Sequence, residues 1–147
     1  MNKLSKRSTY AIIVAAAVCV LLGLYFKFGP GSTHTLTGSI TVTDTPSGYY
    51  GTSSVTVYGE FCSTSGGYAD MQTGANVVAK DAASKIIATG SLGVGVAVGS
   101  YGCEFGFTLV VPDSEYYSIE VSHRGALTYS RDELAAELWD LSLTLGN

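Results

Sequence analysis

Five apolar side chains at alternate positions, Cys103, Phe105, Phe107, Leu109 and Val111, constrain the fold of this 147-residue chain more than any other feature. A period of two places all five on one face of an extended strand. Pro112-Asp113 ends the run with a turn signal. The pattern recurs. Leu36, Ile40 and Val42 alternate with Thr and Ser in HTLTGSITVT, and Val55, Val57 and Phe61 mark SVTVYGEFC as one strand. Tyr117, Ile119 and Val121 do the same for YYSIEVSH, and Trp139, Leu141, Leu143 and Leu145 for the last strand. One buried and one wet side per strand is the habit of antiparallel sheets. The reading for residues 34–147 is therefore mainly β: an antiparallel two-sheet β-sandwich, Ig-like or transthyretin-like, of seven or eight strands with one short C-terminal helix.

The remaining local signals fit between these strands. NVVAKD (76–81) and KIIATGSL (85–92) read as strands joined through Asp81-Ala82-Ala83-Ser84. Gly93–Gly99 is apolar and glycine-rich, a strand with bulges or a mobile loop. Ser63–Asp70 reads as a loop with Gly66-Gly67-Tyr68 at its exposed tip, and Tyr49-Tyr50 mark a second aromatic loop. Ser130-Arg131-Asp132-Glu133 is a capping box opening the helix RDELAAEL, with Tyr129 and Leu134 placed as a hydrophobic staple.

A segment of another kind precedes this domain. Tyr10–Phe26 runs 17 residues without a charge, roughly 25 Å as a helix. Residues 1–9 carry Lys3, Lys6 and Arg7 and no acid. Residues 10–28 read as a transmembrane signal-anchor helix, with Lys27 snorkelling and Tyr10, Tyr25, Phe26 and Phe28 at the interfaces. A buried soluble helix and a secretory signal cleaved after Ala15-Ala16-Ala17 are the alternatives, and cleavage there leaves an apolar stub. A lipoprotein signal fits poorly, because Val18 precedes Cys19. The expected organisation is a cytoplasmic basic tail (1–9), the anchor (10–28), a linker (29–33) and an extracytoplasmic domain (34–147), the basic flank holding the N-terminus inside.

Charge and cysteine usage agree with that placement. The whole chain carries net charge −4. Lys80, Lys85, Arg124 and Arg131 are the cations beyond residue 28, against all twelve acids. Such a balance argues against nucleic acid as a partner and against adhesion to an anionic membrane surface. The expected partners are the lipid bilayer, through residues 10–28, and an envelope protein or glycan. Cys62 and Cys103 are the only cysteines after the apolar segment and are expected to form a disulfide in an oxidising compartment. Two free buried thiols are the alternative. No other Cys or suitably spaced His completes a metal set.

Catalytic signals are weak. No Gly-x-Ser-x-Gly occurs, and Ser122 and His123, read as strand neighbours, point to opposite faces and do not pair. Glu104 and Glu120 fall on outward faces of strands that read as neighbours, a solvated sheet face rather than a glycosidase pair. Asp44, Asp70, Asp81 and Asp113 lie at strand ends, as calcium-binding acids do, but without a dense Asp-x-Asp loop. Asp81 and Asp113 read instead as acceptors for turn backbone. The glycines of 93–99 open no helix and so form no dinucleotide loop. His34 reads as solvated beside the linker. No catalytic residue, metal or cofactor is expected. The binding candidates are Tyr68, Asp70, His123 and Arg124. The planar fork of Arg124 suits an acid or carbonyl of the protein itself, or a ligand carboxylate or phosphate. His123 adds a group that titrates near neutrality, and Tyr68 an aromatic suited to protein or glycan contact.

Two resemblances bear on the reading. TGANVVAKDAASKIIATGSLG (73–93) resembles the Gly-Ala-x-Val-x-x-x-Asp…Gly-Lys-x-Ile-Ala-Thr-Gly pattern of carboxypeptidase-regulatory-like (transthyretin-like) β-sandwich modules, with Ser84 where that pattern has a turn glycine. The second covers most of residues 34–147. It runs from Leu36-Thr37-Gly38 through Cys62…Gly66-Gly67-Tyr68-Ala69-Asp70 and Cys103-x-Phe105-x-Phe107. It continues with Tyr117-x-Ile119-Glu120-Val121-Ser122-His123-Arg124-Gly125 and Leu127-x-Tyr129-Ser130. This order resembles small actinobacterial membrane-anchored or secreted proteins, some carried in phage or prophage genomes. The resemblance implies location and fold and brings no chemistry. The expected function is a non-enzymatic binding or interaction module displayed at the cell envelope. An envelope-acting enzyme and a purely structural assembly protein are the competing classes.

Overall fold

The computed structural model of the chain describes residues 31–46 and 51–146. The basic tail, the expected anchor at 10–28, Gly29-Pro30 of the linker and Tyr49-Tyr50 lie outside the described residues. Among the described residues no helix is long and apolar enough to cross a membrane.

In chain order the elements are β1 (Thr33–Thr43), β2 (Val55–Tyr58), β3 (Phe61–Thr64), a 3-10 turn at Gly66–Tyr68, β4 (Asn76–Lys80), β5 (Ile86–Ser91), β6 (Gly95–Val98), β7 (Gly102–Pro112), β8 (Tyr116–Val121), β9 (Ala126–Ser130), α1 (Arg131–Ala136) and β10 (Asp140–Gly146). Six strands form one sheet in the order β10-β1-β7-β6-β3-β2, and four form a second, β5-β4-β8-β9. The alternating side chains of β7 supply the centre of the core: Cys103, Phe105, Phe107, Leu109 and Val111 are each at most 5% exposed. Leu36, Ile40 and Val42 of β1 join them, as do Val77 and Ala79 of β4 and Tyr117, Ile119 and Val121 of β8. Full burial of a large apolar side chain stabilises by about 1.5–3 kcal/mol, so this one cluster holds the two sheets together.

The molecule is thus mainly β, with two antiparallel-rich sheets and one short helix. Three features depart from the expected layout. First, β10 pairs with β1 in parallel, Thr37 opposite Asp140 through Thr43 opposite Gly146. The chain reaches β10 from the other sheet through α1, so no tight turn ties its direction to a neighbour. Second, SVTVYGEFC is two strands: β2 and β3 form a hairpin with Tyr58 opposite Phe61. Gly59 turns the chain there at φ +66°, a conformation glycine adopts without steric cost. Third, β8 ends at Val121, because Ser122 already adopts φ +53°. The described residues therefore hold ten strands rather than seven or eight, with Gly95–Val98 a regular strand and Gly66–Tyr68 a 3-10 turn within the expected loop.

Cys62 and Cys103 are joined in a disulfide, with their Cα atoms 5.6 Å apart. They belong to β3 and β7, which flank β6. Strands two places apart in a flat sheet are separated by about 9.6 Å, so β3 must leave the sheet plane to reach β7. It pairs with β6 at one position only, Phe61 opposite Val96. Gly95 makes room for the crossing: a Cβ there would meet the Cys62 carbonyl oxygen at 2.7 Å, the Phe105 ring at 2.8 Å and Cys103 Sγ at 2.9 Å.

Candidate functional site

The end of β8 and the loop after β3 bring three of the four binding candidates into contact. Past the turn at Ser122, Arg124 reaches back to the segment that follows the 3-10 turn. Its Nε donates to Asp70 Oδ2 at 2.9 Å, and its Nη2 donates to Asp70 Oδ1 and to the Gly67 carbonyl oxygen. The guanidinium carbon also lies 5.3 Å from the centre of the Tyr68 ring, within cation–π range. A bidentate fork, a carbonyl and an aromatic face together fix a planar cation in a way a lysine cannot reproduce. Arg124 beside Asp70 holds that carboxyl below the ordinary aspartate range, with a further hydrogen bond from Ser122. The same pairing raises Arg124.

Of the two uses of the Arg124 fork, the internal bond to an acid and a carbonyl is the one the geometry realises. Tyr68 is correspondingly half-buried and packed against the core rather than held at an exposed tip.

His123 does not join this clamp. It is exposed, and its Nδ1 lies 3.3 Å from Ser122 Oγ. The expectation that Ser122 and His123 point apart is corrected here, because both lie in the turn after Val121 and strand alternation does not apply to them. Asp70 and His123 instead border a groove of about 460 Å³ on the outer side of the four-stranded sheet, whose floor includes Asn76, Val78 and the Lys80–Glu120 pair. Lys80 Nζ donates to Glu120 Oε2 at 2.8 Å, and this bond keeps Glu120 below the usual glutamate range. The groove thus combines hydrogen-bonding groups of both signs with an apolar strip, an arrangement suited to a polar chain-like ligand.

The other candidate acids separate. Glu104 is on β7 of the six-stranded sheet and Glu120 on β8 of the four-stranded one, so they face opposite sides of the molecule. They are not on neighbouring strands, since the short turn 113–115 carries the chain from β7 in one sheet across to β8 in the other. Asp81 accepts from the backbone N–H groups of Ala83 and Lys85, each at 2.9 Å, as a turn aspartate should. Asp44 accepts from the Ser54 N–H at 2.6 Å. Among the described residues no three His, Cys, Asp or Glu side chains gather as a metal site.

Asp113 departs from expectation, and with it His34. Rather than bonding turn backbone, Asp113 accepts from Arg131 Nη1 at 3.0 Å and lies 3.2 Å from His34 Nε2. Arg131 first, then His34, hold its carboxyl below the ordinary range. His34 is not simply solvated: its ring stacks on Trp139 at 4.0 Å, and Trp139 meets Tyr117 edge-on at 5.5 Å. Leu138 and Trp139, at φ +53° and +63°, reverse the chain out of α1 and swing the indole into place. The partners lie far apart in sequence, and no local pattern joins them. The one available signal was a lone Trp at the junction of helix and strand. No family model, curated protein or solved structure matches this chain.

Proposed function

We propose that this chain is a single-pass membrane protein, N-terminus inside, that displays residues 34–147 outside the cell as a transthyretin-like or Ig-like β-sandwich acting as a non-enzymatic binding module of the envelope. The observation that carries the binding role is the groove on the four-stranded sheet, bordered by Asp70, which Arg124 holds in place, and by the exposed His123. A rigid sheet with a loop-built rim is a common way to position recognition groups. The Cys62–Cys103 bond supports the location, since such bonds persist in oxidising compartments. The resemblance to membrane-anchored actinobacterial and phage-borne proteins agrees with it.

The test uses the full-length chain in its native cells. Proximity labelling from the exterior should tag it together with envelope components. Capture of those components should fall in His123→Ala and Arg124→Ala, with Tyr68→Ala reporting on the clamp. Labelling confined to cytosolic neighbours overturns the orientation. Undiminished capture by all three variants overturns the groove as the binding site.

A further inference from the structure

We propose that the outer face of the six-stranded sheet is a second binding surface, for a neutral, extended polysaccharide chain. Strand register lines up one row across this sheet. Tyr58 stands opposite Phe61, Phe61 opposite Val96, Val96 opposite Glu104, and Glu104 opposite Thr41. Directly opposed residues share a face. This face is the outer one, since the neighbours Cys62 and Cys103 point into the core. Tyr58, Phe61 and Val96 are 54%, 56% and 49% exposed. From Tyr58 to Glu104 the row crosses β2, β3, β6 and β7, stepping out of the sheet plane at β3.

Two details select a sugar chain over other occupants. The Tyr58 hydroxyl hydrogen-bonds to Ser63 Oγ, on the next strand of the same face. The tethered Tyr58 is 54% exposed, and an exposed aromatic ring can stack on the C–H side of a pyranose ring. At the far end of the row, Glu104 accepts from Ser39 Oγ at 3.3 Å and Thr41 Oγ1 at 3.2 Å, both on Oε2. Among the described hydrogen bonds Oε1 accepts none, so it remains available to a sugar hydroxyl. Aromatic faces followed by a carboxylate set among hydroxyls match the two sides of a pyranose.

Charge narrows the class further. The described cations, Lys80, Lys85, Arg124 and Arg131, all lie outside the six strands of this sheet, whose outer face carries Glu104 and Asp140. Anionic polymers are repelled there, and a neutral chain is not. The surface lies on the other sheet from the groove, so either can fail without the other.

The experiment is calorimetry on the full-length chain in nanodiscs, with cellohexaose and hexa-N-acetylchitohexaose as neutral probes, dextran sulfate as the anionic control and hexalysine as the peptide rival. At least one neutral hexasaccharide should bind, and dextran sulfate should not. Tyr58→Ala and Phe61→Ala should each weaken binding about tenfold, as loss of an aromatic contact implies. Tyr58→Phe should retain most of it. Val96→Lys, which sets a long charged chain in mid-row, should abolish binding, and Glu104→Gln should weaken it severalfold. These two substitutions preserve the aromatic hairpin, so they decide the matter should the alanine variants fail to fold. Absence of heat with both hexasaccharides overturns the proposal. So does equal binding by all row variants, binding of hexalysine alone, or a self-association of the chain that Phe61→Ala removes.

Discussion

At the scale of single residues, the Arg124–Asp70 pair ties a turn after β8 to the loop after β3 through a bidentate fork. Both side chains are about 30% exposed, so the pair contributes on the order of 1 kcal/mol rather than the several expected of a buried one. The sign of its pH dependence follows from the direction of the shift. Asp70 is held below the ordinary aspartate range, so the folded chain binds fewer protons than the unfolded chain as that range is entered. Its contribution is complete above about pH 5 and is lost as acid protonates the carboxyl, mostly below about pH 4. Urea unfolding measured from neutral pH down to strong acid should show wild type losing this increment and Arg124→Gln lacking it throughout. Parallel curves for the two proteins would mean that the pair adds nothing. Residue type and position single out Tyr68, Asp70, His123 and Arg124 in the sequence, but not the contact between Arg124 and Asp70, which are 54 residues apart and meet only through the fold.

At the scale of elements, periodicity revealed most of the strands and failed where two readings share a period. Val55, Val57 and Phe61 keep in step across Gly59, so nothing in the alternation marks the hairpin. The turn nevertheless places Phe61 on the outer face, 56% exposed, while Cys62 takes the inner one. Ser84, where the resembled pattern has glycine, adopts φ +60°, so the backbone demand is real even though the residue differs. The helix was legible from chemistry alone. The Ser130 hydroxyl accepts from the Glu133 N–H at 3.2 Å, and the Glu133 carboxylate accepts from the Ser130 N–H at 2.7 Å, which closes the capping box. That short helix carries the chain from β9 to the parallel strand β10, so its cap affects more than one helical turn. Ser130→Ala should cost about 1 kcal/mol, and Ser130→Asp should restore most of it. Thermal unfolding of the two variants checks this, and equal midpoints for Ser130→Ala and wild type would discount the cap.

At the scale of the whole molecule, one crosslink bears on how the two halves of the larger sheet meet. The Cys62–Cys103 bond closes a span of 41 residues that includes all of β4, β5 and β6. In the chain-entropy model a loop of this length adds roughly 4 kcal/mol by restricting the unfolded chain. Without the bond, β3 keeps one paired position with β6 and the β2 hairpin, too little to hold it over Gly95. Reduction should therefore act in two ways: a lower urea midpoint overall, and earlier hydrogen exchange in β2 and β3 than in β7. Gly95→Ala separates these effects. It leaves both cysteines in place but sets a methyl group against the Cys62 carbonyl and Cys103 Sγ, at contacts shorter than atoms tolerate. The bond can then form only if β3 lifts away. The variant should refold to the disulfide form more slowly than wild type, expose β3 to exchange even when oxidised, and gain less stability from oxidation. A Gly95→Ala protein that oxidises at the wild-type rate and shows wild-type protection in β3 would mean that the crossing has slack, and that the crosslink rather than the close approach at Gly95 sets the position of the hairpin.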